Sequence, residues 1–500
     1  MERLHDACGI VGIFARENGE SIDVRRYLTL ALTALQHRGQ ESAGMAVYRS
    51  DGKIVSRVAM GKVREVFSDT GTGLPETLCG IGHVRYSTTG SSCVENAGPF
   101  VVGAEPNHYE AIAVAHNGNL VNGPALRAQL PQELLNSTTD SEAIAWFLLH
   151  AEGPSLRERV ISIFPLLRGA YSLVILAEGK LHAMRDPWGL RPLCLGRIGA
   201  SWIVASESCA LDRLGADFVR EVEPGELITI DAQGIRSEIL ARVPRHALCV
   251  FEYIYFSDAT SKLNGKYVYN VREALGRELA REHPTVADLV VPVPDSSIPA
   301  ALGYAGASGI TYGHAIIKNR YSDRTFIKPD QRLRQLEVDL KFNLVKPKIE
   351  GARLVIVDDS IVRGNTMKRL VAALRHYGAK EIHLRSSAPP LRHPCHFGID
   401  IPQEVELIAA GRSVQEIADY IGVDSLGYLS IAGLGRAITS TENNTLDDET
   451  AAASLHSEFC YGCMEKKGWP FDPVGAAYSA RGTPQLISST GRETVMRRVN

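Results

Sequence analysis

The chain has 500 residues, of which 45% are hydrophobic and 22% are charged, and its formal net charge is −3. This length predicts two or three domains of ordinary globular composition, and the near-neutral charge argues against wholesale nucleic-acid binding. No apolar run approaches the ~20 residues that span a bilayer, and Met1–Ala7 is too short and polar for a secretory signal. We therefore expect a cytoplasmic protein, bound to neither membrane nor nucleic acid, whose nine cysteines stay reduced.

Cys8 stands at the head of an apolar, strand-like run, Gly9–Phe14. If Met1–Ala7 is removed, Cys8 carries a thiol and a free α-amine on one residue. The amine can then act as the general base for the thiol, which would make Cys8 a nucleophile. The alternative is a buried strand cysteine, because free cysteine is among the most buried residue types.

Residues 8 to about 240 are predicted to contain many short strands and few helices. Because strands and helices do not alternate regularly, we expect an α+β domain with stacked sheets. Asp140 gives the second helix an N-cap signal. The predicted helices are Val24–Leu35, Ser141–His150 and Ser155–Leu167. The predicted strands are Gly9–Phe14, Ala43–Tyr48, Gly80–Tyr86, Ala111–His116, Tyr171–Ala177, Leu181–Met184 and Trp202–Ala205.

Three polar clusters fall in the turns between these elements: Gln36–Gly44, Gly82–Gly90 and Ala115–Leu120. Arg85 can hold a substrate carboxylate with two parallel hydrogen bonds. The Asn117 side chain and the Gly118 N–H can donate to an oxyanion. Asp140 can accept from an ammonium group. Together with Cys8, these groups are what an amide hydrolase needs.

The clusters resemble the glutaminase domain of the class II, N-terminal-nucleophile amidotransferases, which folds as an αββα sandwich. By that resemblance, Cys8 attacks the side-chain amide of glutamine and the domain releases ammonia. The oxyanion hole would consist of Asn117 and Gly118. The α-carboxylate and α-amine of glutamine would be bound by Arg85, Thr88 and Asp140.

The second informative stretch is Arg353–Thr366, where an apolar run ends in Asp358 and Asp359 and a polar loop precedes a helical pattern. Backbone N–H groups of such a loop can cradle a phosphate, although the spacing is not that of a P-loop. The alternative is that the two carboxylates only cap the helix. From about residue 250, strands and helices alternate, which predicts a parallel sheet with ligands at the carboxyl ends of its strands.

This stretch resembles the phosphoribosyl-pyrophosphate (PRPP) motif of the type I phosphoribosyltransferases, which have an α/β fold. By that resemblance, Asp358 and Asp359 bind the ribose hydroxyls. The 5′-phosphate would be bound by the loop that follows, through Ser360, Arg363, Gly364, Asn365 and Thr366. The loop Val293–Ser297 would cradle pyrophosphate through Asp295, Ser296 and Ser297.

The resemblance also implies Mg²⁺, which would bridge substrate oxygens near Ser296, Asp358 and Asp359. The basic run Lys318–Lys348 lies between the two phosphate loops. We expect it to include a lid that closes on the polyanion and excludes water. The candidate lid residues are Lys318, Arg320, Arg324 and Arg332, and we expect Lys318 and Arg320 to bind PRPP.

Cys460 and Cys463 form a CxxC pair that could combine with Cys249 and Cys395. Four thiolates could hold one zinc ion or a [4Fe–4S] cluster, whereas a redox CxxC lacks its usual βαβ context. The set is similar to the cluster ligands of the iron–sulfur branch of the glutamine PRPP amidotransferases. That branch also carries a short cleaved propeptide, so the resemblance implies a [4Fe–4S] cluster rather than zinc.

A glutaminase half followed by a phosphoribosyltransferase half implies one reaction: PRPP, glutamine and water give 5-phosphoribosylamine, glutamate and pyrophosphate. This is the first committed step of purine synthesis. The expected organisation is a propeptide (1–7), a glutamine amidotransferase domain (8–240), a phosphoribosyltransferase domain with the cluster-binding segment (250–471) and a tail (472–500). The resemblance further implies a homotetramer and feedback inhibition by purine nucleotides.

Three other classes of protein stay open at this point. A PRPP-sensing module would not need Cys8 or the Asn117–Gly118 pair. An iron–sulfur electron-transfer protein with vestigial enzyme domains would turn its cluster over with a redox partner. An amidotransferase that uses a sugar phosphate as acceptor would not need the loop 358–366.

Overall fold

A computed structural model describes residues 8–16, 22–67, 72–86, 92–103, 111–319, 342–401, 403–439 and 446–473. Four predicted site or lid residues lie outside these ranges: Thr88, Arg320, Arg324 and Arg332. Residues 1–7 and 474–500 also lie outside them. Among the residues that the structure describes, no helix is long and apolar enough to cross a membrane.

The described strands before residue 240 form two antiparallel sheets. The first sheet has the order β11-β9-β10-β1-β4-β2-β3 and the second has the order β13-β12-β8-β7-β6-β5. The strands are β1 (Gly9–Phe14), β2 (Ser42–Tyr48), β3 (Ile54–Met60), β4 (Cys79–Arg85), β5 (Phe100–Val102), β6 (Ile112–Leu120), β7 (Gly169–Ala177), β8 (Lys180–Arg185), β9 (Cys194–Ile198), β10 (Ser201–Ala205), β11 (Asp217–Glu221), β12 (Glu226–Asp231) and β13 (Gly234–Ile239).

The two sheets pack face to face, and helices cover their outer faces. Because side chains alternate along a strand, Ile10 and Phe14 of β1 enter the core between the sheets, whereas Val11 and Ile13 face the helices. The helices of this half are α1 (Val24–Ala34), α2 (Val63–Val66), α3 (Gly123–Arg127), α4 (Asp140–His150), α5 (Leu156–Ile163) and α6 (Ser208–Leu214). Side chains of α1 and α6 pack on the first sheet and those of α4 and α5 on the second. The αββα sandwich is therefore confirmed.

The start of α4 differs from the prediction. The N-cap is Thr139, whose hydroxyl accepts a hydrogen bond from the Glu142 N–H at 3.4 Å. Asp140 is the first helical residue, and its carboxylate accepts from the Leu120 N–H at 2.7 Å instead. The prediction that Asp140 supplies the cap was wrong, and its carboxylate instead ties α4 to the end of β6.

The second half contains a parallel sheet of order β17-β20-β21-β22. Its strands and the shorter ones around it are β14 (Leu248–Cys249), β15 (Lys262–Leu263), β16 (Lys266–Tyr267), β17 (Leu289–Pro292), β18 (Ile316–Lys318), β19 (Phe342–Leu344), β20 (Arg353–Asp358), β21 (Glu381–Ser386), β22 (Ser425–Tyr428) and β23 (Phe459–Cys460). The helices are α7 (Val268–Glu282), α8 (Ile298–Ser308), α9 (Lys346–Ile349), α10 (Asn365–His376), α11 (Val414–Ile421), α12 (Ile431–Thr439) and α13 (Asp448–Glu458).

Both faces of this sheet are buried. Val355 and Val357 of β20 face the core formed with α7, α8 and α12, whereas Leu354 and Ile356 face α10 and α11. A near-continuous apolar run is typical of such a doubly covered parallel strand. The α/β fold predicted for this half is confirmed.

Candidate active sites and cysteine cavity

Cys8 lies immediately before β1, with its thiol 3.8 Å from the Tyr86 carbonyl oxygen. Burial raises the pKa of this thiol, and the nearby guanidinium groups of Arg85, Arg38 and Arg191 offset the rise only in part. A thiol with a raised pKa is a weak nucleophile unless a base takes its proton. The site therefore suits a cysteine that depends on an adjacent base.

Asn117 and Gly118 lie near the end of β6, opposite Ser172 and Tyr171 of β7. The Asn117 side chain is completely buried, yet among the described residues neither its oxygen nor its nitrogen has a hydrogen-bond partner. Buried polar groups are nearly always paired, so this amide is available to a bound ligand. Gly118 has φ +150°, and a Cβ there would lie 2.0 Å from the Ala170 carbonyl oxygen, which requires glycine.

The two predicted glutamine-binding residues within the described part of the chain are both buried and polar. Arg85 ends β4, next to β1, and its guanidinium lies 3.8 Å from the Glu41 carboxylate. Burial opposes ionisation of Asp140, but His116 and the Leu120 N–H hold the pKa of its carboxyl below the usual range. Asp140 is thus an anion that can accept from an ammonium group.

Arg38 is a residue of this site to which sequence reasoning gave no role. Its Nε donates to the carbonyl oxygen of Cys8 at 3.2 Å, and its guanidinium is completely buried. It belongs to the first polar cluster, so a signal was present. The contact forms because the chain folds back to bring Arg38 beside Cys8, which lies 30 positions earlier, and no local sequence pattern predicts this.

Asp358 and Asp359 lie at the carboxyl end of β20, and the predicted pyrophosphate loop meets them there. The Ser296 hydroxyl donates to Asp359 at 2.5 Å, and the Ser297 hydroxyl donates to Asp358 at 3.3 Å. The Ser360 hydroxyl also donates to Asp359, at 2.8 Å. The carboxylates and the Ser296 hydroxyl are hard oxygen ligands, which fit Mg²⁺.

The interpretation of Asp358 and Asp359 as helix caps was wrong. The N-cap of α10 is Gly364, with φ +78° and no capping side chain. The positive φ of Gly364 is a conformation that favours glycine, so the sequence supplies glycine where the loop turns into the helix. Residues of this loop and Val293 line one pocket; the loop residues include Asp358, Asp359, Ser360, Gly364 and Thr366.

Three predicted PRPP-binding side chains have protein partners. The Lys318 ammonium lies 3.0 Å from the Asp295 carboxylate, at the edge of the pyrophosphate loop. Arg363 donates to Glu406 at 2.8 Å. Asn365 accepts from the Tyr420 hydroxyl at 2.7 Å. The backbone of the loop is thus better placed for phosphate than the side chains of Arg363 and Asn365 are.

Cys249, Cys395, Cys460 and Cys463 line one small cavity whose other walls are Leu190, Arg191, Phe397, Ile399 and Trp469. β14 pairs with β23 in parallel, which places Cys249 directly beside Cys460. The carbonyl oxygen of Cys463 accepts from the N–H groups of Arg392 and His393 at 2.9 and 3.0 Å. The structure therefore brings together all four predicted ligands, although they come from three parts of the chain.

The two candidate groups for this cavity, zinc and an iron–sulfur cluster, place different demands on the four thiols. Tetrahedral zinc with Zn–S distances of about 2.3 Å would hold its sulfur atoms about 4 Å apart. Among the described residues, His37, Glu207 and Cys209 form a group whose possible ligand atoms all lie within 4.8 Å of one another. No three of the four cavity cysteines form such a group in this part of the chain. The Arg191 Nε is buried with no partner among the described residues, and it belongs to a side chain that lines the cavity. Four cysteines around one cavity can ligate a metal group, and Arg191 adds a cationic donor at its wall.

Comparison with known proteins identifies both halves. The family described as "Glutamine amidotransferase domain" matches residues 98–213, and the family described as "Phosphoribosyl transferase domain" matches residues 265–391. The amidophosphoribosyltransferase of Methanothermobacter thermautotrophicus is 46% identical over 87% of this chain and 91% of its own length. The enzyme of Mycobacterium bovis is 42% identical over 92% of this chain and 86% of its own length.

The chain belongs to the amidophosphoribosyltransferase family. A solved structure, described as the glutamine PRPP amidotransferase of B. subtilis complexed with ADP and GMP, has a TM-score of 0.84 and 39% identity. The match covers 94% of this chain and 98% of that one. The protein is thus an amidophosphoribosyltransferase, a pentosyl-transferring enzyme whose reaction is the first step of purine synthesis.

Proposed function

We propose that the amidophosphoribosyltransferase reaction is divided between the two sites described above. Cys8 attacks the side-chain amide of glutamine, and ammonia leaves as the amide carbon becomes a thioester, which water then hydrolyses to glutamate. Asn117 and Gly118 stabilise the oxyanion, and Arg85, Thr88 and Asp140 bind the amino-acid end of the substrate. The observation that carries this proposal is the buried amide of Asn117, which has no hydrogen-bond partner in the part of the chain that the structure describes.

The α-amine of Cys8 is proposed as the base for its own thiol. This requires removal of residues 1–7 as a propeptide. Support comes from the raised pKa of the thiol, because a buried thiol needs a base close by. Arg38, which binds the Cys8 carbonyl, holds the backbone that carries both groups.

We further propose that PRPP binds in the pocket at the carboxyl end of β20. Asp358 and Asp359 orient the ribose hydroxyls, and the backbone of Ser360–Thr366 cradles the 5′-phosphate. Asp295, Ser296 and Ser297 bind pyrophosphate. Lys318, Arg320, Arg324 and Arg332 belong to the proposed lid, and Lys318 and Arg320 also bind PRPP. Mg²⁺ held near Ser296, Asp358 and Asp359 would neutralise the leaving group. Ammonia then replaces pyrophosphate at C1 of the ribose.

A [4Fe–4S] cluster on Cys249, Cys395, Cys460 and Cys463 is proposed as a structural group. When bound, it would cross-link three segments of the chain and supply no electrons to the reaction. The support is the shared cavity of the four thiols. Both phosphate-site loops lie outside the lining of that cavity.

The remaining proposals rest on family likeness. We propose a cytoplasmic homotetramer with the domain limits 8–240 and 250–471. Purine nucleotides are proposed as feedback inhibitors because the related B. subtilis enzyme was solved with ADP and GMP.

The test is release of glutamate from glutamine by anaerobically purified protein, with and without PRPP, alongside mass spectrometry of the N-terminus. We expect a chain that starts at Cys8 and a glutaminase activity that PRPP stimulates. An intact N-terminus on fully active protein would contradict the proposed base. A complete lack of glutamate release would contradict the proposed nucleophile.

A further inference from the structure

A buried network of charged side chains joins the nucleophile to the second half of the chain. Arg38, which holds the carbonyl oxygen of Cys8, donates to both oxygens of the Glu252 carboxylate, at 2.9 and 3.0 Å. It also donates to Glu207. The side chains of Arg38, Glu207 and Glu252 are all completely buried.

Glu252 is positioned from the transferase side. It opens a short π-helical turn, Glu252–Phe256, and accepts from the Ser257 hydroxyl at 2.7 Å. Arg272 of α7 holds the same turn, because its guanidinium donates to the carbonyl oxygens of Tyr253 and Ser257 at 2.8 and 2.7 Å. The carboxylate that binds Arg38 is therefore held in place by residues of the transferase half.

The same carboxylate reaches the cysteine cavity. Arg191 lies 3.4 Å from Glu252, lines the cavity, and donates to the Phe397 carbonyl oxygen at 2.8 Å. Phe397 follows the predicted ligand Cys395 by two residues. Four contacts in series, through Arg38, Glu252 and Arg191, thus connect the backbone of Cys8 to the segment that carries Cys395.

That segment also contacts the strand that carries the oxyanion donors. Asn119 of β6 donates through its side-chain nitrogen to the His396 carbonyl oxygen at 3.0 Å. A Cβ on Gly398 would lie 2.9 Å from the Gly118 carbonyl carbon, so the two backbones touch. Residues 395–398 are therefore packed against the oxyanion hole itself.

From these contacts we propose that Glu252 is a positioning residue of the glutaminase site, which holds Cys8 through Arg38. Residues 395–398 act in the same way on the oxyanion strand through Asn119. Glutamine hydrolysis then depends on whether the residues around the cysteine cavity keep their positions, whereas transfer of free ammonia to PRPP does not. This inference rests on the proposed roles of Cys8 and Asn117.

The charge balance explains why a carboxylate is needed at this position. Glu207 and Glu252 are the acidic partners of Arg38 and Arg191 in this buried network, and Glu207 also pairs with His37 at 2.8 Å. Removing one partner from a buried ion pair leaves a charge without compensation. Glu252→Gln keeps the size of the side chain and one acceptor oxygen but removes the charge. Arg38 then loses one of its two hydrogen bonds to residue 252 and is less firmly positioned against Cys8.

The experiment measures three properties of Glu252→Gln: the glutamine-dependent rate, the ammonia-dependent rate, and the rate at which an alkylating glutamine analogue labels Cys8, read by mass spectrometry. We expect glutamine use and labelling to fall together by about tenfold or more, as loss of a charge-assisted hydrogen bond does. The ammonia-dependent rate and the iron content should not change. Asn119→Ala should lower glutamine use in the same selective way.

The matched control is Glu278→Gln, which removes a carboxylate that binds the buried Arg436 at 2.6 Å, away from Cys8. It should leave the ratio of the two activities at the wild-type value. Glu252→Gln or Asn119→Ala with an unchanged ratio would overturn the proposal, and so would an equal loss of both activities. If Glu252→Gln does not fold, Asn119→Ala decides. Cys8→Ser, assayed in parallel, separates this failure from failure of the proposed nucleophile.

Discussion

At the scale of single residues, the candidate sites consist of polar groups that the fold leaves unpaired or holds in one orientation. Asn117 is buried with no partner among the described residues, whereas both carboxylates at the end of β20 are held by serine hydroxyls. The Asn117 amide can therefore donate to, and accept from, polar groups of a bound ligand. The carboxylate arrangement keeps two oxygen ligands preorganised for a cation and a sugar.

Replacing Cys8 tests the first site. Cys8→Ser should lower glutamine-dependent synthesis by roughly 10³-fold or more, because loss of a nucleophile is among the costliest changes in a hydrolase. Synthesis from free ammonium should continue, because the other site is intact. Both rates are measured by pyrophosphate release, and Cys93→Ser serves as the control cysteine. Glutamine hydrolysis at the wild-type rate in Cys8→Ser would refute the assignment.

Replacing Asp358 or Asp359 tests the second site. Asp358→Asn and Asp359→Asn keep the size but remove the charge that orients the ribose and Mg²⁺. Each loss should cost roughly 1.5–3 kcal/mol, or about 10- to 150-fold in the ammonia-dependent rate. The control is Asp288→Asn, because Asp288 pairs with Arg353 at the opposite end of β20 and should not matter. Wild-type PRPP kinetics in both site variants would exclude this loop as the ribose site.

At the scale of elements, local pattern predicted β1 and β20 but ended β6 at His116. The strand continues to Leu120 and carries Asn117 and Gly118, which were wrongly expected in a turn. β1 has the predicted bounds, and β20 coincides with the apolar run that was recognised before Asp358 and Asp359, because both segments are short apolar runs buried on both faces. β11 and β13 were missed because they lie at sheet edges and include exposed residues such as Asp217 and Ser237. α5 ends at Ile163, earlier than predicted, because Pro165 follows in a 3₁₀ turn.

Close packing of α7 on α8 gives a prediction about stability. A Cβ on Gly276 would lie 1.8 Å from the Ala300 carbonyl oxygen of the facing helix. Gly276→Ala should therefore lower the free energy of unfolding by about 1–3 kcal/mol, as overpacking does. Gly306 of α8 has no atom within 4 Å of its Cβ position, so Gly306→Ala should raise stability by about 0.5–1 kcal/mol. Thermal unfolding measures both, and a Gly276→Ala variant as stable as wild type would contradict this packing.

At the scale of the whole molecule, the halves are joined by contacts between residues far apart in the chain. Arg38 and Glu252 are 214 positions apart, and Asn119 and His396 are 277 apart. No periodicity or spacing predicts such contacts, because long-range pairing is decided by the packing of complete domains. The four cysteines were grouped by family resemblance, and spacing alone left zinc and iron–sulfur both open.

Loss of the proposed cluster should expose the C-terminal segment. Arg245 donates to the carbonyl oxygens of Phe459, Gly468 and Trp469 at 2.7–3.1 Å, so some hold remains without the cluster. When air is admitted, the iron and sulfide contents of the protein should decrease. Over the same time course, residues 459–471 should become more susceptible to proteolysis. The measurement follows iron, sulfide, cleavage and activity in one time course. Colourless, zinc-loaded and fully active protein would refute the cluster, and cluster loss with unchanged protection would refute its structural role.

The central claim is that one chain hydrolyses glutamine at one site and uses the ammonia at the other. The most direct test measures glutamate and pyrophosphate in the same reaction, with each substrate omitted in turn. We predict equal amounts of the two products from glutamine and PRPP together. We also predict pyrophosphate without glutamate when Cys8→Ser is supplied with PRPP and ammonium. Pyrophosphate release that needs neither glutamine nor ammonium, or glutamate release with no matching pyrophosphate at saturating PRPP, would contradict the account.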